Sequence, residues 1–282
     1  MKINHFKSEF LNQLSKIYDK DENESFFFMI LKSLKGLSRV DLALNPDLEF
    51  SEKELEQIEF YLSELKNNKP IQYLLGKTEF YGLEFQVDEN VLIPRPETEE
   101  LVDWIIQENK SKKDFTILDI GTGSGAIAVS LAKNLSAEVF AFDVSYDALT
   151  IAQKNSDHNQ TFVHFTEFDI LNDIWEGEKF DIIVSNPPYV RELEKKEMKA
   201  NVLNHEPHLA LFVPNEDPLI FYKKIAGFAL ESLSENGQLY FEINQYLGTE
   251  TVEMLLEKGF KNVQLKKDIF GNDRMILAYK HF

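Results

Sequence analysis

Ile117-Leu118-Asp119-Ile120-Gly121-Thr122-Gly123-Ser124-Gly125-Ala126 is the stretch that decides the fold. A short apolar run ends in a loop of spaced glycines, and a helical pattern, 126–134, opens directly behind it. Glycine permits positive φ and lets the backbone approach a ligand closely. In an open α/β sheet such a loop lies at the carboxyl end of the strands, where ligands bind. Three spaced glycines are more than a tight strand-to-helix turn needs. Gly121, Gly123 and Ala126 also satisfy G-x-G-x-x-A, a dinucleotide fingerprint, so the loop alone leaves the ligand open.

Outward from this loop, short apolar strands alternate with helices. Strands are expected at 115–120, 138–142, 162–168, 180–185, 237–243, 261–265 and 275–279, and helices at 97–109, 126–134, 146–155 and 218–233. Alternating β and α units imply a largely parallel sheet covered on both faces. The last two strands have no helix between them and read as an antiparallel pair. The fold class is therefore α/β, with a seven-stranded mixed sheet.

Residues 1–75 differ. Asp21-Glu22-Asn23-Glu24 precedes the apolar run Phe26–Leu31, and Ser51 with Glu54 forms an S-x-x-E capping box ahead of Leu55, Ile58, Phe60, Tyr61, Leu62 and Leu65. Asn67-Asn68-Lys69-Pro70 ends that helix. A small helical bundle is expected, with Phe26-Phe27-Phe28 in its core. Between the two regions, Phe80-Tyr81-Gly82-Leu83-Glu84-Phe85-Gln86-Val87 reads as a β-hairpin, and Pro94 and Pro96 close it. The expected division is a helical domain at 1–75, a hairpin linker at 76–95 and an α/β domain at 96–282.

Composition narrows the function classes. The 282 residues carry 30 basic and 48 acidic groups, a net charge of −18, of which 10 basic and 13 acidic groups lie in 1–75. Non-specific nucleic-acid binding needs Lys and Arg against phosphates, so this balance disfavours direct nucleic-acid contact. There is no cysteine, which removes disulfides, thiolate metal sites and a cysteine nucleophile. No run of 18 apolar residues suggests a membrane span, and Met1-Lys2-Ile3-Asn4-His5-Phe6-Lys7 turns polar too early for a signal peptide. A soluble, cytoplasmic, monomeric protein is expected. His205-Glu206-Pro207-His208 is not H-E-x-x-H, and its proline breaks the helix that motif needs, so no metal site is assigned.

Two further carboxylates follow the glycine loop. Asp143 ends the second strand, 18 residues past Gly125, where it can accept from both ribose hydroxyls of a nucleoside. Asp169 ends the third strand, placed to accept from an adenine amine, with Ile170 beside it to pack on the ring. Together they describe an adenosine-containing cofactor, without separating a nicotinamide dinucleotide from S-adenosylmethionine.

Ile183-Val184-Ser185-Asn186-Pro187-Pro188-Tyr189-Val190, at the end of the fourth strand, carries the chemistry. Two prolines stiffen the backbone and remove two N–H donors, leaving acceptors exposed. A planar –NH2 group suits such a site: its hydrogens can go to the Asn186 side-chain oxygen and the Pro187 carbonyl, and its π plane can lie on Tyr189. Accepting both hydrogens draws a delocalised nitrogen towards a tetrahedral, nucleophilic form and stabilises its developing positive charge. Alignment with a sulfonium methyl then permits in-line transfer.

Gly121–Gly125 resembles the cofactor loop of class I S-adenosylmethionine-dependent methyltransferases, and Asn186-Pro187-Pro188-Tyr189 resembles the motif of their amino-methylating branch. Pro70-Ile71-Gln72-Tyr73-Leu74-Leu75-Gly76, Phe80-Tyr81-Gly82 and Leu92-Ile93-Pro94-Arg95-Pro96-Glu97-Thr98-Glu99 are similar to the pre-core signature of the HemK-type release factor glutamine methyltransferases, and Glu206-Pro207, Ala210-Leu211, Glu242 and Arg274 also fit. This resemblance implies a class I methyltransferase core behind a helical bundle that recognises the partner. It implies methyl transfer from S-adenosylmethionine, leaving S-adenosylhomocysteine, to the side-chain amide of the glutamine in the Gly-Gly-Gln motif of peptide chain release factors. It implies that Gly121, Thr122, Gly123, Ser124, Gly125, Asp143, Asp169, Ile170 and Asn186 surround the cofactor. Asn186, Pro187, Pro188 and Tyr189 would hold the substrate amide, with Asn186, Pro187 and Tyr189 catalytic. Arg95–Glu99 would border the same cleft, with no side-chain role assigned. A glutamine methyltransferase of a ribosomal protein and an adenine-N6 nucleic-acid methyltransferase share the catalytic tetrapeptide and are the alternatives.

Overall fold

A computed structural model describes residues 1–281. The described residues fold into two compact units, 1–76 together with 200–205, and 77–199 together with 206–281.

The smaller unit is helical. Helices α1 (Ile3–Leu14), α2 (Lys20–Lys35), α3 (Arg39–Leu44), α4 (Glu52–Lys66) and α5 (Ile71–Leu75) follow in order. The starts of α2, α3 and α4 are set by side chains that satisfy the orphan N–H groups of a first turn. Asp19 accepts from Asp21 and Glu22, while Ser38 with Asp41 and Ser51 with Glu54 form reciprocal capping boxes. Phe10, Phe27, Ile30, Ile58 and Leu65 bury one shared core. Phe27 is fully inside it, with Phe26 and Phe28 packed partly buried at its edge. Helix α5 forms where the sequence shows only a stop at Pro70 followed by five residues, too few for a periodic signal.

The larger unit begins with the expected hairpin. Strands β1 (Lys77–Phe80) and β2 (Leu83–Gln86) pair antiparallel. Tyr81 and Gly82 between them stand at φ 48° and 73°, the sign combination a two-residue primed turn needs to match the strand twist. Phe80 and Phe85 are buried against α6 (Pro96–Asn109), so the hairpin is part of this unit's core rather than a loose tether.

The chain then runs β3 (Lys113–Ile120), α7 (Ala126–Asn134), β4 (Ser136–Asp143), α8 (Tyr146–His158), β5 (Val163–Glu167), β6 (Phe180–Ser185), β7 (Val190–Arg191), α9 (Ala200–His205), β8 (Phe212–Val213), α10 (Ile220–Ser232), β9 (Leu233–Glu242), α11 (Gly248–Lys258), β10 (Lys261–Lys267) and β11 (Asp273–Tyr279). Seven strands form one sheet in the order β10-β11-β9-β6-β3-β4-β5. β3, β4, β5, β6 and β9 are parallel, and β11 is antiparallel to both β9 and β10. Ile117 packs with α6 and α7, and the next residue, Leu118, packs with α10 and α11. The two-residue period of a strand places these side chains on opposite faces, so the sheet buries two separate cores. Short pieces at 190–213 were not evident in the sequence; β7 and β8 hold only two residues each.

Candidate active site

The sheet order reverses between β3 and β6: the chain moves outward from β3 through β4 to β5, then returns to the other side of β3. The crevice at the carboxyl ends of these two strands is where a doubly wound sheet binds ligands. Ile120 and Ser185 are register partners at the ends of β3 and β6, and the Ser185 hydroxyl donates to the Ile120 carbonyl at 2.7 Å. The glycine loop and Asn186-Pro187-Pro188-Tyr189, which follow strand ends 65 residues apart in sequence, therefore leave the sheet side by side.

Between them lies a cleft of about 290 Å3, whose wall includes Gly121–Ser124, Asp143, Asp169, Ile170, Asn186, Pro187 and Pro188. Gly125 stands behind this wall as the N-cap of α7. Tyr189 packs, partly buried, against the core on the α10 face and turns its hydroxyl to Glu242.

The cradle is held from three directions. Asp143 accepts from the Gly123 N–H at 2.8 Å and from the Ser145 N–H at 2.9 Å, and burial pushes its carboxyl above the usual range. Asn155 on α8 donates to the Ser124 carbonyl at 2.9 Å while exchanging hydrogen bonds with both backbone groups of Gln86. Thr122 donates at 2.6 Å to Asp119, a fully buried carboxylate whose ordinary value burial raises to about 7. Cβ atoms added at Gly121 or Gly123, which stand at positive φ, would meet nothing within 4 Å, as expected of backbone left open to a guest. Asp169 shapes the far wall: it accepts from the Leu171 N–H and the Asn172 amide at 2.8 and 2.7 Å.

The charged residues on the wall are Glu89, Arg95, Asp143 and Asp169. Arg95 is already engaged by the buried Glu206. Acidic walls repel a pyrophosphate and suit hydroxyls, an amine and a cationic centre. The residues present thus fit S-adenosylmethionine better than the nicotinamide dinucleotide that the glycine pattern alone also allowed.

Asn186 belongs to a connected polar path. Its Nδ2 donates to Thr98 Oγ1 at 3.3 Å, Thr98 donates to Glu242 Oε2 at 2.6 Å, and the Tyr189 hydroxyl donates to Glu242 Oε1 at 3.1 Å. Asn244 donates to the Tyr189 carbonyl at 2.9 Å. Thr98 was not picked out by sequence reasoning. Its one signal was its place in the Pro94–Glu99 signature, at the start of α6 under Pro96 and an acidic first turn.

Comparisons with known proteins identify the family and the fold. Residues 8–76 match the family model described as PrmC N-terminal domain, and 99–210 match Methyltransferase small domain. The release factor glutamine methyltransferase of Flavobacterium psychrophilum is 59% identical over 280 residues, spanning 98% of each chain. That of Bacteroides thetaiotaomicron is 45% identical over 98% of this chain and 99% of its own. Among solved structures, a Pyrococcus furiosus methyltransferase aligns over 82% of this chain and 100% of its own, with a TM-score of 0.55 and 17% identity. A Thermus thermophilus 16S rRNA methyltransferase, solved with AdoMet and guanosine, aligns over 73% of this chain and 50% of its own, with a TM-score of 0.55 and 20% identity. At such identities the solved structures speak for the fold alone.

Proposed function

The chain belongs to the release factor glutamine methyltransferases, and from that premise we propose that its cleft methylates the side-chain amide nitrogen of the glutamine in the Gly-Gly-Gln motif of peptide chain release factors. The observation that carries this reading is the adjacency of an acidic, glycine-lined cradle and Asn186-Pro187 on neighbouring strands of one cleft.

Gly121, Thr122, Gly123, Ser124, Asp143, Asp169 and Ile170 hold S-adenosylmethionine in this reading, with Gly125 shaping the loop behind them. The bound cofactor supplies an electrophilic methyl group. The protein's own residues do the rest. Asn186 Oδ1 and the Pro187 carbonyl accept the two amide hydrogens of the glutamine, which localises the nitrogen lone pair. Pro187 and Pro188 keep those acceptors rigid, so little reorganisation is needed as positive charge builds on nitrogen. Tyr189, tethered to Glu242, supports this wall from behind.

The helical residues 1–75 serve in this reading to recognise the release factor. A cytoplasmic, monomeric enzyme that acts on protein rather than nucleic acid fits the net charge of −18. Among the described residues, no helix is long and apolar enough to cross a membrane.

The test is methyl transfer from labelled S-adenosylmethionine to a purified bacterial release factor, with a Gln→Ala control in its Gly-Gly-Gln loop. Label on the unmodified factor only is the expected result. Asn186→Ala should abolish transfer while leaving cofactor affinity nearly intact; an active Asn186→Ala enzyme would sink the assignment. Deleting residues 1–70 should impair release factor methylation more than cofactor binding, and equal loss of both would count against a recognition role.

A further inference from the structure

The polar path behind Asn186 has a direction. Glu242, the last residue of β9, is 1% exposed. Each of its oxygens takes one hydroxyl proton: Oε2 from Thr98 at 2.6 Å and Oε1 from Tyr189 at 3.1 Å. The shorter contact is typical of a hydroxyl donating to an ionised carboxylate. Burial pushes the Glu242 carboxyl above the usual range, while the two hydroxyls it accepts from and the positive charge of Arg274 on the neighbouring β11 favour its ionised form. Thr98 has a single proton, and Glu242 takes it. Towards Asn186, Thr98 can therefore only accept, and the atom facing it must be the amide nitrogen rather than the oxygen. The hydrogen-bond network thus dictates an amide orientation that distance alone does not define.

We propose that Thr98 and Glu242 are positioning residues that lock the Asn186 amide with its oxygen towards the cleft. The proposal rests on the reading that Asn186 Oδ1 accepts a hydrogen from the substrate amide. Without the Thr98 hydroxyl, the Asn186 side chain can turn over and present its –NH2 to the –NH2 of the substrate. Two donors then face each other, and the acceptor that localises the nitrogen lone pair is lost. Because this interaction strengthens as charge develops on nitrogen, the loss falls on kcat more than on KM.

The experiment compares Thr98→Val, which keeps shape and removes the hydroxyl, with Thr98→Ser, which restores it, and with Glu242→Gln, which can donate to Thr98 and reverse the path. For each, kcat and KM for release factor, the dissociation constant for S-adenosylmethionine and the melting temperature are measured on the full chain. Thr98→Val and Glu242→Gln are expected to lose about tenfold or more in kcat, with cofactor affinity unchanged. Thr98→Ser is expected to recover most of the loss. Wild-type kcat in Thr98→Val beside an inactive Asn186→Ala overturns the proposal and leaves the role of Asn186 standing. Parallel loss of cofactor affinity and kcat also overturns it, since that marks a general distortion. An active Asn186→Ala removes the underlying reading and the proposal with it. Should Thr98→Val fold poorly, Glu242→Gln against Thr98→Ser decides: loss in the first and recovery in the second supports the relay, and wild-type kcat in the first overturns it.

Discussion

Arg95 and Glu206 meet across 111 residues of sequence, with the guanidinium 2.5 Å from Glu206 Oε1. The pair is lopsided: the Arg95 side chain is one-third exposed, whereas that of Glu206 is 1% exposed and also accepts from the Ile93 N–H at 3.3 Å. Removing the arginine strands a buried carboxylate, while removing the carboxylate leaves a cation that water can reach. Breaking a buried pair from one side costs about 3–5 kcal/mol when the remaining charge is uncompensated. Arg95→Met is therefore expected to lose about 3 kcal/mol, and Glu206→Gln, whose single amide oxygen keeps one of the two donors, about 1–2 kcal/mol. Urea unfolding of the two variants gives the comparison, and equal losses would remove the asymmetry from the account. Because Arg95 lines the cleft, activity is a separate readout and does not enter this test.

Asn155 joins three parts of the larger unit through one side chain. Its Oδ1 accepts from the Gln86 N–H at 2.6 Å, and its Nδ2 donates to the Gln86 and Ser124 carbonyls at 3.0 and 2.9 Å. It is wholly buried, so water cannot replace it without entering the core. Asn155→Ala leaves three backbone groups without their partner, at about 1–3 kcal/mol for each unsatisfied group. The expected loss is about 3 kcal/mol or more, together with weaker S-adenosylmethionine binding, because Ser124 belongs to the cradle. Asn155→Asp should be no better, since a carboxylate can accept from Gln86 but would face two carbonyl oxygens. Calorimetric titration with the cofactor and urea melts check both statements. Full cofactor affinity in Asn155→Ala would mean that the loop holds its shape without α8.

Asp119 makes stability depend on pH in an unusual direction. Burial raises its carboxyl from 3.8 to about 7, the charge of Asp143 adds to the effect, and the Thr122 hydroxyl opposes it. The folded chain therefore holds a proton that the unfolded chain releases. Stability from this group is fully present below about pH 4 and is lost as pH rises through about 7. Asp119→Asn removes the titration. Its stability relative to the parent should climb between pH 4 and pH 7 by an amount on the order of a few kcal/mol, and then stay level. Any fixed cost of the amide shifts the whole curve without changing its slope. Unfolding at a series of pH values without cofactor gives the difference curve, and a flat one would mean that Asp119 is ionised throughout.

Much of this architecture was legible because local signals and long-range order coincide. The run Phe115–Ile120 lies within β3, the helical pattern of 126–134 is α7 itself, and Ser51 caps α4 as the S-x-x-E spacing implies. Gly82 marked the turn because positive φ favours glycine, whereas Tyr81, at φ 48°, carries no such signal. The strand alternation also placed Gly121 and Asn186 at strand ends, which is enough to bring them to one crevice once β3 and β6 are neighbours. The bond between Thr98 and Glu242 was not legible. The two residues lie 144 positions apart, and a threonine at a helix start carries the same local pattern whether or not a buried carboxylate awaits it. Arg95 and Glu206 were each noticed, yet nothing in one stretch names the other. The segment between β6 and α10 also escaped, because two-residue strands and a six-residue helix are shorter than any period that could reveal them.

Gly121 and Gly125 lie in one loop at nearly the same φ, +75° and +79°, but face different surroundings. At Gly121 an added Cβ meets nothing within 4 Å, whereas at Gly125 it comes to 3.1 Å from the Ala152 Cβ and 3.3 Å from the Ala152 Cα. Both alanine substitutions carry the backbone strain of a left-handed residue, about 1–2 kcal/mol. Only Gly125→Ala must also push α8 away from α7, and a backbone atom cannot turn aside as a long side chain does. Gly125→Ala is therefore expected to cost about 1 kcal/mol more than Gly121→Ala, the lower end of what overpacking costs. Cofactor affinity separates the two differently. Gly121 is on the wall of the cleft, so its new methyl stands where a ligand approaches the backbone, and Gly121→Ala should weaken S-adenosylmethionine binding even where the fold is retained. Melting temperature and cofactor titration on both variants give the two orders, and a Gly121→Ala protein that binds cofactor as tightly as the parent would place the ligand away from that part of the loop.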